Sequence, residues 1–93
     1  MRIEVKRFGT MLISRPAGKE AFASARAYLL PAKIDDGELL IDFAGVEVLS
    51  PSWADEFLSG IKKLYGGIHL SYVNTENPSV KETLEILSSA SVN

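Results

Sequence analysis

The residues able to do chemistry gather in one stretch of the chain, DFAGVEVLSPSWADEF at positions 42–57. Ser50 and Ser52 flank Pro51, and each offers a hydroxyl that a kinase would phosphorylate or a helix start would use as a cap. Asp55 and Glu56 follow within a turn, where carboxylates complement the helix dipole but repel a phosphate on Ser52. Asp42 precedes Ala44-Gly45 and is suited to accept backbone N–H bonds and orient that turn. A second group is Ser14-Arg15-Pro16, just ahead of a helix. Depending on strand direction, Arg15 pairs with Asp55 or Glu56 or is left to solvent.

The rest of the inventory is thin. The single histidine, His69, takes an outward strand position between Ile68 and Leu70 with no acid beside it, so it reads as a surface residue. No serine has the glycine spacing of a nucleophile elbow, and no glycine-rich loop carries a phosphate-binding lysine. With no cysteine in the chain, thiolate chemistry is absent as well. We expect no catalytic residue, no metal site and no cofactor.

The elements that position these groups follow from periodicity. IEVKRF alternates, meets Gly9-Thr10 and resumes as MLI, which predicts two short antiparallel strands joined by a tight hairpin. Pro16 opens a helix to about Leu30, with Phe22, Ala25, Tyr28 and Leu29 on one face, and Pro31 ends it. After the turn at Asp35-Asp36-Gly37, the apolar run Leu39, Leu40, Ile41, Phe43 predicts a central strand covered on both faces.

The second helix starts at 50–52. Either Ser50 caps it with Pro51 as first helical residue, or Ser52 caps it with Asp55 in a capping box. Trp53, Phe57, Ile61, Leu64 and Tyr65 recur along its apolar face, and Gly66-Gly67 terminates it. Ile68, Leu70 and Tyr72 predict a fourth strand. Asn77-Pro78 opens a last helix with Val80, Leu84 and Leu87 inward, followed by a frayed tail at 88–93. The order is β-β-α-β-α-β-α: an α/β fold with a mixed four-stranded sheet packed with helices, over one domain, 1–93.

Composition sets outer limits. With 93 residues, 46% hydrophobic and 24% charged, the chain suits a single core. No apolar run approaches the roughly 20 residues that span a bilayer, and MRIEVKRF lacks the apolar centre of a signal peptide, so a cytoplasmic protein without membrane association is expected. The net charge of −2 conceals an asymmetry: residues 1–33 carry +5 and residues 34–93 carry −7. These charges either pair across the structure or form two faces of opposite sign. No basic run suits nucleic acid, and the acidic balance argues against it.

The element order, together with Ser14-Arg15, Asp42-Phe43-Ala44-Gly45-Val46 and Ser52-Trp53-Ala54-Asp55-Glu56, resembles the STAS type of sulfate transporters and anti-sigma factor antagonists. It is most similar to the STAS-like family of unknown function. The motifs span residues 14–58, and the element order extends the likeness to nearly the whole chain. The resemblance implies a regulatory module that binds an anti-sigma factor, itself a histidine-kinase-like ATPase, or another signalling partner in transcription control. In antagonists of that type, phosphorylation of a serine at the start of the second helix releases the partner. Counted from Asp42, that position falls on Pro51, and the glycine two residues later is Trp53, so Ser50 or Ser52 serves as acceptor only by a shift of one residue.

The expectation is therefore a non-enzymatic protein-binding module. Arg15, Ser52, Asp55 and Glu56 form its partner-binding edge, Ser50 or Ser52 is the candidate phosphoacceptor, and Ser14, Asp42, Gly45 and Trp53 are structural. A small-ligand or nucleotide-binding module with a pocket near residues 42–56 and a homodimeric structural protein stay open beside it.

Overall fold

The computed structural model describes residues 1–90. Five strands and three helices follow in the order β1 (Arg2–Glu4), β2 (Met11–Leu12), α1 (Arg15–Tyr28), β3 (Glu38–Asp42), β4 (Val48–Leu49), α2 (Pro51–Leu64), β5 (His69–Val73) and α3 (Pro78–Ala90). The α3 helix runs through the first half of the expected frayed tail, and positions 91–93 lie outside the described residues. Among the described residues, no helix is long and apolar enough to cross a membrane.

The strands form two sheets instead of one of four strands. The larger has the order β1-β3-β5 and the smaller joins β2 to β4. Every pairing is parallel, so the sheet is not mixed. The expected hairpin does not form. After β1 the chain winds into a 3-10 turn over Val5–Phe8, closed by Gly9 N–H donating to the Lys6 carbonyl at 2.9 Å. Met11-Leu12 then pairs with the two-residue strand β4, the Thr10 carbonyl accepting from Glu47 and Val48 and the Leu12 carbonyl from Ser50. Alternation reports which side chains are apolar and not which strand lies alongside. Here β1 and β2 each find a parallel partner beyond α1, as a helical crossover requires.

The central place of β3 is as expected, but only one of its faces is packed. Residues in parallel register share a face, which groups Ile3, Ile41 and Tyr72 with Leu39 and Leu70. These meet the core, in which Ile3, Leu39 and Ile41 are buried together with Ala21 and Ala25 of α1, Phe57 and Ile61 of α2, and Val80 of α3. The opposite face holds exposed Arg2, Glu4, Glu38 and His69, with Leu40 half-buried between Arg2 and Ser71. The apolar run read as doubly covered is thus a one-sided strand in which in-register neighbours shelter one extra leucine.

On α1 the buried stripe is Gly18, Ala21 and Ala25. Tyr28, assigned to that face by spacing, is 85% exposed because it closes the helix at the border of the stripe. Small residues there allow α2 to come close. A Cβ on Gly18 would lie 2.5 Å from the Trp53 carbonyl oxygen, so the two helix backbones are in near contact. Along α2 the expected face holds: Trp53, Phe57, Ile61 and Tyr65 are buried, and Trp53 stacks on Phe57 at 4.9 Å.

Candidate functional site

Asp42 ends β3 and is 4% exposed. Its Oδ1 accepts from the Ala44 N–H at 2.9 Å and from Asn74 Nδ2 at 2.8 Å. Its Oδ2 accepts from Arg2 Nε and Nη2 at 3.1 and 2.5 Å. The Asn74 amide, then the Ala44 N–H and the Arg2 guanidinium hold this carboxyl down at about 2. The role expected from sequence is therefore present, since Asp42 orients the turn that Gly45 completes at φ +83°. The carboxylate also ties the ends of β3 and β5 to the N-terminus, and four donors occupy it. Arg2 and Asn74 had no marker in the sequence; only the register of β1 and the position after β5 bring them to Asp42.

The start of α2 settles which serine caps it. Ser50 is the N-cap, its Oγ accepting from the Trp53 N–H at 3.2 Å, and Pro51 is the first helical residue. Ser52 is the second helical residue and half-buried, and no capping box with Asp55 forms. This choice moves the acids. Asp55 and Glu56 fall in the second turn, beyond the reach of the N-terminal dipole that was expected to explain them.

Their partner is Arg15 instead. As the first residue of α1 it follows Ser14, which caps that helix by accepting from the Ala17 N–H at 3.3 Å and turns the chain at φ +77°. Arg15 Nη1 donates to Asp55 Oδ2 at 2.9 Å and to Glu56 Oε1 at 3.2 Å. Ser59 adds a hydroxyl bond to Asp55 Oδ1 at 3.2 Å. The Arg15 guanidinium, with help from Ser59, holds the Asp55 carboxyl below the usual carboxylate range. The fork is open to solvent, with the Arg15 side chain 52% and that of Asp55 46% exposed. Two carboxylates share one cation, so the edge presents one net negative charge and not two.

Packing fixes this juxtaposition. Gly18 lies one turn beyond Arg15, and Trp53 two residues before Asp55, so the close backbone approach of α1 and α2 sits directly behind the fork. A second brace comes from α3, whose opening at Asn77-Pro78 is legible in the sequence but whose contacts with β4 are not. Asn77 caps it through Oδ1, accepting from Ser79 and Val80, and its Nδ2 donates to the Glu47 carbonyl. The Leu49 N–H donates to Ser79 Oγ at 2.9 Å, while buried Thr83 donates its hydroxyl to the Leu49 carbonyl at 2.5 Å. These bonds clamp β4, and with it the residue that caps α2.

The structure thus brings Arg15, Ser14, Asp55, Glu56, Ser50, Ser52 and Trp53 to one edge and leaves Asp42 and Gly45 in a separate structural turn. His69 is exposed at the start of β5, on the open sheet face. Among the described residues, no three His, Asp or Glu side chains are grouped to hold a metal ion. All three ion pairs among the described residues link the basic first third of the chain to its acidic remainder.

Comparison with known proteins agrees with the architecture. No curated protein and no solved structure matches the chain. The family described as STAS-like domain of unknown function matches residues 26–80, from the end of α1 to the first turn of α3. That stretch includes Asp42, the α2 cap and both acids of the fork, with Ser14 and Arg15 ahead of it. Spanning more than half of the sequence, the match identifies the chain as a member of the STAS-like domain family of unknown function.

Proposed function

We propose that this chain is a small regulatory module, without catalytic activity of its own, that binds a protein partner through the start of α2 and the adjoining first residue of α1. The exposed Arg15–Asp55–Glu56 fork carries this reading. Exposed ion pairs contribute only about 0–1 kcal/mol to folding. Three charged side chains held in one orientation on the surface, backed by a rigid helix contact, are worth more as a recognition pattern than as a stabiliser. By resemblance, the partner is a histidine-kinase-like ATPase or another signalling protein, in which case ATP belongs to the partner.

Phosphorylation is a separable addition to this reading. The Ser50 hydroxyl is engaged as the cap, so Ser52, half-buried in the first turn, is the better-placed acceptor. A phosphate there would gain from the backbone N–H groups of the helix start, and Arg15 offsets part of the repulsion from Asp55 and Glu56.

The test uses kinase-like ATPases from the same genome as bait. Asp55→Lys or Glu56→Lys should abolish capture while circular dichroism stays native; retained capture would refute the proposal. The double swap Arg15→Asp with Asp55→Arg keeps an internal pair but reverses the pattern, and should also lose capture. Incubation with the captured partner and ATP should add one phosphate by mass, lost in Ser52→Ala. An unchanged mass would leave binding alone.

A further inference from the structure

The packing of α2 differs on its two sides. Toward α1, glycine and alanine let the helices touch. Toward α3, the space is bridged by longer side chains, and a cavity of about 360 Å³ opens between the two helices beside β5. Its apolar surface comes from Leu58, Leu84 and Leu87, of which Leu58 is buried and the other two are half-buried. Tyr72 of β5 also lines it, and the same Tyr72 and Leu84 carry the surface into an adjoining open hollow of about 590 Å³.

Three side chains with hydrogen-bond donors lie along these joined surfaces: Lys62 lines the cavity from α2, Lys81 lines the outer hollow from α3, and Tyr72 of the sheet lines both. Among the described residues, neither lysine has an ion-pair partner, and the Tyr72 hydroxyl has no hydrogen-bond partner. The acidic part of the chain, residues 34–93, contains only three lysines, of which Lys62 lines the cavity and Lys81 the hollow that adjoins it. Two acids share these surfaces: Asp55 lines the cavity, its carboxylate engaged by Arg15 and Ser59, and Glu85 lines the outer hollow together with Lys81.

Cavities of roughly 300–1,000 Å³ with an apolar lining and a few polar groups are the usual form of small-molecule sites. From this juxtaposition we propose that the α2–α3 groove binds a small amphipathic anion, a carboxylate with an aliphatic tail. The tail lies along Leu58, Leu84 and Leu87, and the head is held by Lys62, Lys81 and the Tyr72 hydroxyl. This site adjoins the partner-binding edge and shares Asp55 with it, but the proposal does not rest on that edge binding a partner.

Decanoate, kept below its micelle concentration, is the probe, with decanol and decyltrimethylammonium as neutral and cationic controls. In methyl NMR, decanoate should produce saturable shifts confined to Leu58, Leu84 and Leu87. It should bind about tenfold more tightly than decanol, the scale of two partly exposed charge contacts, and the cation should not bind. The Lys62→Gln/Lys81→Gln variant should unfold at the wild-type temperature, lose the preference for decanoate and retain decanol. Leu87→Glu should weaken both. Absence of saturable shifts, shifts elsewhere, equal binding of decanoate and decanol, or a preference that survives in the double variant would each overturn the proposal.

Discussion

Gly18→Ala is the sharpest perturbation available, because it acts on the contact that holds the two halves of the candidate edge together. The added carbon would lie 2.5 Å from the Trp53 carbonyl oxygen and 2.9 Å from its Cα. Both atoms are backbone, so no side-chain rotation relieves the clash and the helices must part. In a free helix the same change would be favourable by about 1 kcal/mol, since alanine is the better helix former. Overpacking of a well-filled contact costs about 1–3 kcal/mol, and a backbone neighbour puts this case at the upper end. The net expectation is a loss of about 1–2 kcal/mol, or roughly 5–15 °C in melting temperature for a domain of this size. Thermal and urea unfolding would measure it, with Ser24→Ala on the exposed face of α1 as the propensity control. Parting the helices should also lengthen the Arg15–Asp55 pair, so the Asp55 carboxyl should titrate closer to its usual range by NMR. A Gly18→Ala protein as stable as wild type, with Asp55 unchanged, would refute the view that this approach positions the site.

Three further outcomes follow from the hydrogen bonds. Ser50→Ala should cost about 1 kcal/mol through the lost cap, whereas Ser52→Ala should stay within about 0.5 kcal/mol; equal losses in chemical denaturation would contradict the capping assignment. Asp42→Ala strands the Ala44 N–H and the Asn74 amide and should cost about 1–3 kcal/mol. Because the Asp42 carboxyl is held at about 2, below its unfolded value, its contribution is complete above the unfolded range and is lost as pH falls. The wild-type urea midpoint should therefore fall between about pH 4 and pH 2, with a flatter profile for Asp42→Asn, and parallel profiles would sink the assignment. Arg15→Ala should cost less than about 1 kcal/mol yet raise the Asp55 carboxyl toward its usual range, and an unmoved Asp55 titration would exclude the pair in solution.

Legibility followed from how local each determinant is. The central place of β3 and the face of α2 were written in runs of apolar residues at a fixed period, with proline and glycine at the ends. Strand pairing was not, because Ile3 and Val5 report burial without naming a neighbour, and Val48-Leu49 is too short to show any period. The same limit hid the partners of Asp42, which are brought to it by register from 40 and 32 residues away. Choosing between two caps was a local question with a non-local consequence: with Ser50 as cap, Asp55 and Glu56 leave the first turn and need Arg15. That pairing was open in the sequence because Ser14-Arg15-Pro16 marks a helix start, but the reach of Arg15 depended on strand direction.

Two arrangements draw on the charge asymmetry of the sequence, and Asp55 connects them. Arg2 and Arg15 of the basic third neutralise acids of the remainder, while Lys62 and Lys81, along the α2–α3 groove and its outer hollow, form no ion pair among the described residues. Asp55 belongs to both, paired with Arg15 on the outer side and lining the groove on the other. Removing Arg15 leaves that carboxylate uncompensated, so the groove becomes less favourable for an anion although none of its apolar lining changes. For an exposed charge in water the effect is modest, about twofold in decanoate affinity at low salt, and it should fade as the Debye length shrinks from about 30 Å at 0.01 M to about 3 Å at 1 M salt. Decanol, which has no charge, should bind Arg15→Ala and wild type alike at every salt concentration. A loss shared by decanoate and decanol would instead mean that Arg15 acts by packing α1 against α2, and the electrostatic link between edge and groove would fail.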